Sequence, residues 1–461
     1  MGRARFTVRE RRFSAEMKRW CVSMTAGLYC SQLSIANYKC TSRKRKLILL
    51  VVAVIYMFIA ALGYYVITDT SYDVTPKDVR RLSILLKSTI ITNWNETTYD
   101  VDTSSTIPIQ NGTVRKYSCD VTTEHQDLLC DVARPNFLSN YKNPCWKESA
   151  SPVQCIPYFQ LIGVDKSGTT DLFYRLVRHP HVEGNQGYIG KETFWWAWKR
   201  YGLDLQKTVP RRDFAYYVHF FQEAAATIAG TVDDSGFHDV ITGDGSPMDF
   251  WDFRGWTDIP QNDGLKDPGI LTPHLIHHIN PNTKFIVLLR DPIERLYSDY
   301  HFLPIKRVRT PETFHRAVSR SFGVLSSCLH GNTLRHCLFD RSLHQQFNKN
   351  ARLHIGFYIV YLHEWFKVFP RSQFLIIRFE DYINNIPKYI NQVYRFLGLA
   401  PVSLQETAVL GILSPVRENV TKRKVMARPM LNKTRDILRD IYQPFNEELS
   451  KVLKNEEFLW L

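Results

Sequence analysis

The sequence predicts an α/β domain on a central, mainly parallel sheet, preceded by a transmembrane helix and a stem. Three observations predict it. From Ile156 onward, apolar runs alternate with amphipathic stretches. Leu47 to Ile67 is an uncharged run of 21 residues. Between the two, residues 68–150 are rich in Thr, Ser, Asp and Asn and carry little sustained periodicity. The expected organisation is a tail at 1–46, a membrane anchor at 47–67, a stem at 68–150 and a catalytic domain at 151–461.

The anchor comes first. At 1.5 Å per residue, a helix of this length spans about 30 Å, the thickness of a bilayer's hydrocarbon core. Arg43, Lys44, Arg45 and Lys46 abut its N-terminal end, whereas Asp69 and Asp73 follow the other. Positive flanks stay in the cytosol, so the C-terminal bulk is expected in the lumen. A cleaved signal peptide would be shorter and closer to Met1. Cysteine usage agrees: six of nine cysteines follow the anchor, an even number suited to an oxidising compartment. Four N-glycosylation sequons, at Asn95, Asn111, Asn419 and Asn432, also follow it. Of these, Asn95 and Asn111 in the stem are expected to be occupied.

The net charge of +14 could suggest nucleic acid, but its distribution argues otherwise. Residues 1–46 carry twelve Lys and Arg against Glu10 and Glu16. The remainder is only mildly basic, which is compatible with a local anion cleft and no nucleic-acid partner.

Within the domain, Ile156 to Val164 reads as a buried strand, with a helix starting near Gly168. Residues 211–229 read as helix, and His238 to Thr242 as a short strand. Lys284 to Leu289 is the clearest strand, and Pro292 is a favoured first-turn residue for the helix after it. Phe357 to Phe369 reads as helix, Gln373 to Phe379 as strand, and Asp381 to Leu397 as helix. The tail from Thr434 to Leu453 has helical periodicity.

Three segments carry chemistry. Gly163 to Thr170 (GVDKSGTT) leaves a strand and opens a helix. Backbone N–H groups around Gly168, the hydroxyls of Ser167, Thr169 and Thr170, and the Lys166 charge could together wrap an anion. The Lys precedes the second Gly, so this is not a Walker A loop, and that disfavours a luminal kinase. The second segment runs from Arg290 to Tyr300 (RDPIERLYSDY). Arg290 ends the clearest strand, where open α/β sheets bind ligands, and Ser298 lies two turns into the next helix. The third is Lys191-Glu192, followed by an aromatic run containing Trp195, Trp196 and Trp198. A carboxylate such as Glu192 suits removal of a proton from an attacking hydroxyl. Lys191 and one exposed tryptophan, taken as Trp196, are expected to touch the acceptor.

The K-S-G-T-T loop and the R-D-P-x-E-R-x-x-S-x-Y segment together resemble the 5′-phosphosulfate and 3′-phosphate loops of PAPS-dependent Golgi carbohydrate sulfotransferases. The likeness is strongest to the branch that acts on chondroitin and dermatan chains at the 6-hydroxyl of N-acetylgalactosamine 4-sulfate. It implies a P-loop-like sulfotransferase fold, PAPS as donor, no metal, a sulfated glycosaminoglycan acceptor and a Golgi type II membrane protein. By the same likeness Lys166 contacts the bridging oxygen of the transferring sulfonate, and Arg290 with Ser298 holds the 3′-phosphate. Tyr358 lies near the donor adenine, Ser246 belongs to the acceptor cleft, and Lys422 and Arg423 sit in a loop that closes over the donor. A Cys328–Cys337 disulfide is implied too. For the other four luminal cysteines the pairing taken is Cys119–Cys130 and Cys145–Cys155. A heparan or other carbohydrate acceptor stays open, as does a silent glycan-binding relative, although intact Lys166, Glu192, Arg290 and Ser298 argue against silence. A homo-oligomer is compatible with all of this.

The flanking charges generate one prediction. In sealed microsomes, protease should leave everything beyond residue 67 intact, and digestion of a C-terminal epitope without detergent would reverse the topology.

Overall fold

The computed structural model describes residues 78, 86, 106–108, 114–116, 119, 124–149, 151–204, 208–303, 308–401, 412 and 427–461. The anchor at 47–67, the sequons Asn95, Asn111 and Asn419, and the loop residues Lys422 and Arg423 lie outside them. Among the described residues, no helix is long and apolar enough to cross a membrane.

Nine strands are described: β1 (Thr106–Pro108), β2 (Val114–Lys116), β3 (Cys145–Trp146), β4 (Gln154–Cys155), β5 (Phe159–Gly163), β6 (Val182–Glu183), β7 (Ile241–Asp244), β8 (Lys284–Leu289) and β9 (Phe374–Arg378). β1 pairs with β2 and β3 with β4, both antiparallel. The other five form one sheet in the order β6-β7-β5-β8-β9. Every pairing in it is parallel.

The sequence explains why β5 and β8 sit in the middle. Along β8, Phe285, Val287 and Leu289 enter one core while Ile286 and Leu288 enter the other. On β5, Phe159 and Leu161 face the second core and Ile162 faces the first. A strand buried on both faces has no polar side to alternate with, so it reads as an unbroken apolar run. The second core is closed by the helices Thr169–Leu176 and Ile386–Leu397. The first, larger core takes the helices Thr272–Ile279, Pro292–Phe302, Pro311–Leu329, Tyr358–Phe366 and Asn432–Leu453.

The mainly parallel α/β architecture expected from sequence is therefore present, with several local departures. The helix expected over 211–229 is two helices, Phe214–His219 and Gln222–Gly230. The helix expected from Asp381 to Leu397 breaks at Asn385, whose side chain caps the second half by accepting from Lys388 N. Pro387 in that first turn has no N–H to continue the first helix. The strand expected at His238 to Thr242 lies slightly later, at Ile241–Asp244.

Chain before residue 150 packs against the elements that follow it. Asn143 is fully buried; its Nδ2 donates to Ile156 O at 2.9 Å and its Oδ1 accepts from Thr242 N at 2.9 Å. Leu128 and Trp146 join the first core. Disulfides join Cys119 to Cys130, Cys145 to Cys155, and Cys328 to Cys337, the three pairings expected.

Sheet packing generates the second prediction. A Cβ on Gly243 of β7 would stand 2.3 Å from the Phe159 ring of β5. Gly243→Ala should therefore cost about 1–3 kcal/mol, read as a lower urea midpoint. An unchanged midpoint would mean that the two strands separate at no cost.

Candidate active site

The sheet order reverses between β5 and β8: the chain leaves β5 toward β6 and β7 on one side and continues to β8 and β9 on the other. Loops leaving the carboxyl ends of such strands diverge and open a crevice. The β5 loop runs through Asp165, Lys166, Ser167 and Gly168, and the β8 end presents Arg290.

The β5 loop is shaped for an anion. Lys166 has φ +66° and Gly168 has φ +81°, so the chain turns through the left-handed region just before the helix. A Cβ on Gly168 would meet the Phe379 ring at 2.8 Å, so only glycine fits. Gly168 is the N-cap of the helix Thr169–Leu176, and no side chain caps that end. Thr169 and Thr170 form its first two positions. Ser167 is fully buried, and its hydroxyl has no hydrogen-bond partner among the described residues. An orphaned buried hydroxyl beside uncapped helix N–H groups is a site that a phosphate or sulfonate oxygen would complete.

Lys166 is largely buried, and burial pulls its pKa down to about 8, against the opposing pull of Asp299 and Asp165. Its ammonium lies 3.5 Å from the centre of the Phe302 ring. Arg290 bridges the two loops, donating from Nη1 to Lys166 O at 3.0 Å while its guanidinium lies over the Phe379 ring. Ser298 is buried on the helix Pro292–Phe302.

A buried ion cluster stands behind the loop. Arg352 donates from Nε to Asp299 Oδ2 at 2.8 Å, and its Nη2 contacts Asp299 Oδ1 and lies 3.6 Å from Asp165 Oδ1. Trp251 Nε1 donates to the other Asp165 oxygen at 2.7 Å. The neighbouring arginines hold the Asp299 carboxyl below its ordinary range against the opposing effect of burial.

Glu192 approaches from a different direction. The Lys191 ammonium is fully buried and bonds Glu192 Oε1 at 2.5 Å. Burial raises the Glu192 pKa, Lys191 opposes the shift, and the charges of Asp165 and Asp244 add to it. The result is a carboxylate more basic than an exposed one and electrostatically coupled to the β5 loop. Lys191 serves it as counter-ion.

Three of the expected contact residues make internal contacts. Ser246 is buried; its hydroxyl donates to Asp244 Oδ1 at 2.7 Å and accepts from Thr193 N at 3.0 Å and Phe194 N at 3.1 Å. With its capacity used internally, Ser246 positions the Glu192 segment and has nothing left for an acceptor. Trp196 is 1% exposed and packs edge-on against Trp195 and Tyr217, so no face is open to a sugar. Tyr358 is enclosed as well, and its hydroxyl donates to Arg290 O at 2.8 Å, fixing the end of β8.

Sequence reasoning missed Asp165, Arg352, Asp299 and Phe302. Phe302 carried a usable signal, since it lies one turn beyond Ser298 and so on the same helix face. Arg352 carried none, because its partners lie 53 residues away in Asp299 and still further in Asp165.

The Ser246 contacts generate the third prediction. Ser246→Ala removes the acceptor of Phe194 N and the nearer acceptor of Thr193 N, and should lower stability by about 1–3 kcal/mol, visible in thermal melts. An unchanged melt together with weaker acceptor binding would return Ser246 to the acceptor cleft.

Comparison with known proteins agrees with this geometry. The chain is 35% identical to human carbohydrate sulfotransferase 15 over 319 residues, which is 67% of this chain and 55% of that protein. It thus spans about half the length of that curated relative. Human heparan sulfate glucosamine 3-O-sulfotransferase 6 is 28% identical over 130 residues, 28% of this chain and 32% of that protein. A solved sulfotransferase from Alicyclobacillus acidocaldarius aligns over 65% of this chain and 97% of its own at 16% identity, with a TM-score of 0.37 that adds nothing to the observed topology. The sulfotransferase domain model matches residues 158–451, from the strand ahead of the anion loop to the C-terminal helix, and the chain belongs to that family.

Proposed function

We propose that this protein is a PAPS-dependent Golgi sulfotransferase that moves a sulfuryl group onto a glycosaminoglycan hydroxyl, the 6-hydroxyl of N-acetylgalactosamine 4-sulfate in chondroitin or dermatan sulfate. The observation that carries the reading is the convergence on one crevice of Lys166, the unpartnered Ser167 hydroxyl, the Gly168 cradle and Arg290. The similarity to carbohydrate sulfotransferase 15 supports the choice of acceptor. The tail at 1–46, the type II anchor at 47–67 and the luminal position of the remainder belong to the same proposal.

The donor supplies an electrophilic sulfur on a good leaving phosphate. The loop from Ser167 to Thr170 holds the 5′ side, with hydroxyls and helix N–H groups as donors. Arg290 and Ser298 receive the 3′-phosphate, and Arg290 spans from there to the β5 loop through its bond to Lys166 O. Lys166 places positive charge where negative charge grows on the departing oxygen. Glu192 accepts the proton of the attacking hydroxyl, and its raised pKa makes it a stronger base. Turnover should therefore fall as pH drops through the Glu192 pKa and also as pH rises through that of Lys166.

The test is transfer from labelled PAPS by the full chain against a panel of sulfated and desulfated glycosaminoglycans. Glu192→Gln should bind PAPS nearly normally while turning over roughly 10²-fold more slowly. Arg290→Ala should weaken PAPS about ten- to a hundredfold yet leave adenosine phosphosulfate, which lacks the 3′-phosphate, almost unchanged. Equal losses for both nucleotides would remove Arg290 from the 3′ site.

A further inference from the structure

Lys166 faces an electrostatic problem that the loop itself does not solve. Its ammonium is largely buried, yet both carboxylates near it are committed elsewhere. Asp299 is held by Arg352 and Arg295, while Asp165 is held by Trp251 and Arg352. Two further cations, Arg352 and Arg290, oppose its charge. What lies against the ammonium is an aromatic face: the Phe302 ring centre is 3.5 Å from Nζ, well inside the range of a cation–π contact. Phe302 is 48% exposed, unusual for a phenylalanine at the end of a helix whose other residues, apart from Glu294, are buried.

We propose that Phe302 is a positioning residue for sulfuryl transfer, holding the Lys166 ammonium over its ring face while leaving the N–H donors of that ammonium free for the donor's leaving oxygen. This rests on the reading of Lys166 given above. A carboxylate in the same place would also hold the ammonium, but it would neutralise the charge and compete for its N–H groups. A ring face attracts the cation through its quadrupole and accepts no strong hydrogen bond. The lysine thus stays charged and aimed while its hydrogen-bonding capacity is kept for the ligand. The helix Pro292–Phe302 makes the placement possible, because Ser298 and Phe302 are one turn apart and Asp299 anchors the same turn to Arg352.

The test keeps the shape of the ring and removes its quadrupole. Phenylalanine with one, two or five ring fluorines is incorporated at position 302 of the full chain. The first readout needs no donor: the ionisation of Lys166 is followed by competitive acylation across pH with mass spectrometric detection. The midpoint in the unsubstituted chain should lie near 8 and move to lower pH with each fluorination, because the charged form loses its partner. The second readout is turnover from PAPS, which should fall stepwise by about three- to thirtyfold overall. Its basic limb should move to lower pH, with little change in PAPS binding. Phe302→Tyr, which keeps the ring face, should match the unsubstituted chain in both. An unmoved acylation midpoint and pH limb in the pentafluoro chain would overturn the proposal. If the unsubstituted chain showed no transfer at all, the functional reading would fail, and the acylation series would still decide the Phe302 contact.

Discussion

The constraint on which the rest depends is the buried Arg352, held between Asp299 and Asp165. Asp165 opens the β5 loop, and Asp299 lies on the helix that carries Ser298 and Phe302. One guanidinium therefore ties the β5 turn to the helix after β8. Removing either carboxylate would leave charge buried without a partner, the costly way to break such a cluster. The cluster is also what leaves Lys166 without a free carboxylate and turns it toward an aromatic ring.

A second set of carboxylates does equivalent work around Glu192. Asp244, at the end of β7, accepts from Thr193 Oγ1 at 2.6 Å and from Ser246 Oγ. Asp249 accepts from Ala197 N, and Asp252 from Trp198 Nε1 at 2.6 Å. The aromatic segment after Glu192 is thus pinned residue by residue to the chain that follows β7. Its tryptophans fill the core, and their burial raises the basicity of the carboxylate beside them. Base strength at Glu192 is in this sense a product of packing.

The two halves meet electrostatically at Asp165, whose charge is felt by both Lys166 and Glu192. Burial displaces the pKa values of the two groups toward each other, raising that of Glu192 and lowering that of Lys166.

Much of this was legible in the chain itself. Lys284 to Leu289 read as an interior strand because the five-residue apolar run from Phe285 to Leu289 has no polar face to turn to solvent. The Gly168 turn was readable because a glycine between a strand and a helix marks a left-handed residue, here at φ +81°. The motifs drew attention to Lys166, Arg290 and Glu192 because each lies beside its own strand end or turn. Motif position also suggested roles for Ser246, Trp196 and Tyr358, whose side chains make internal contacts. Whether a hydroxyl or a ring faces a ligand depends on what else it touches, and one such partner lies 52 residues away for Ser246 and one 68 residues away for Tyr358. The long helix Pro311–Leu329 and the Arg352 cluster were likewise decided only by tertiary structure. Periodicity reports which face of an element is apolar, and strand-end motifs report local turns. Neither records which distant side chain closes a buried charge, because that choice is made only when separate elements pack.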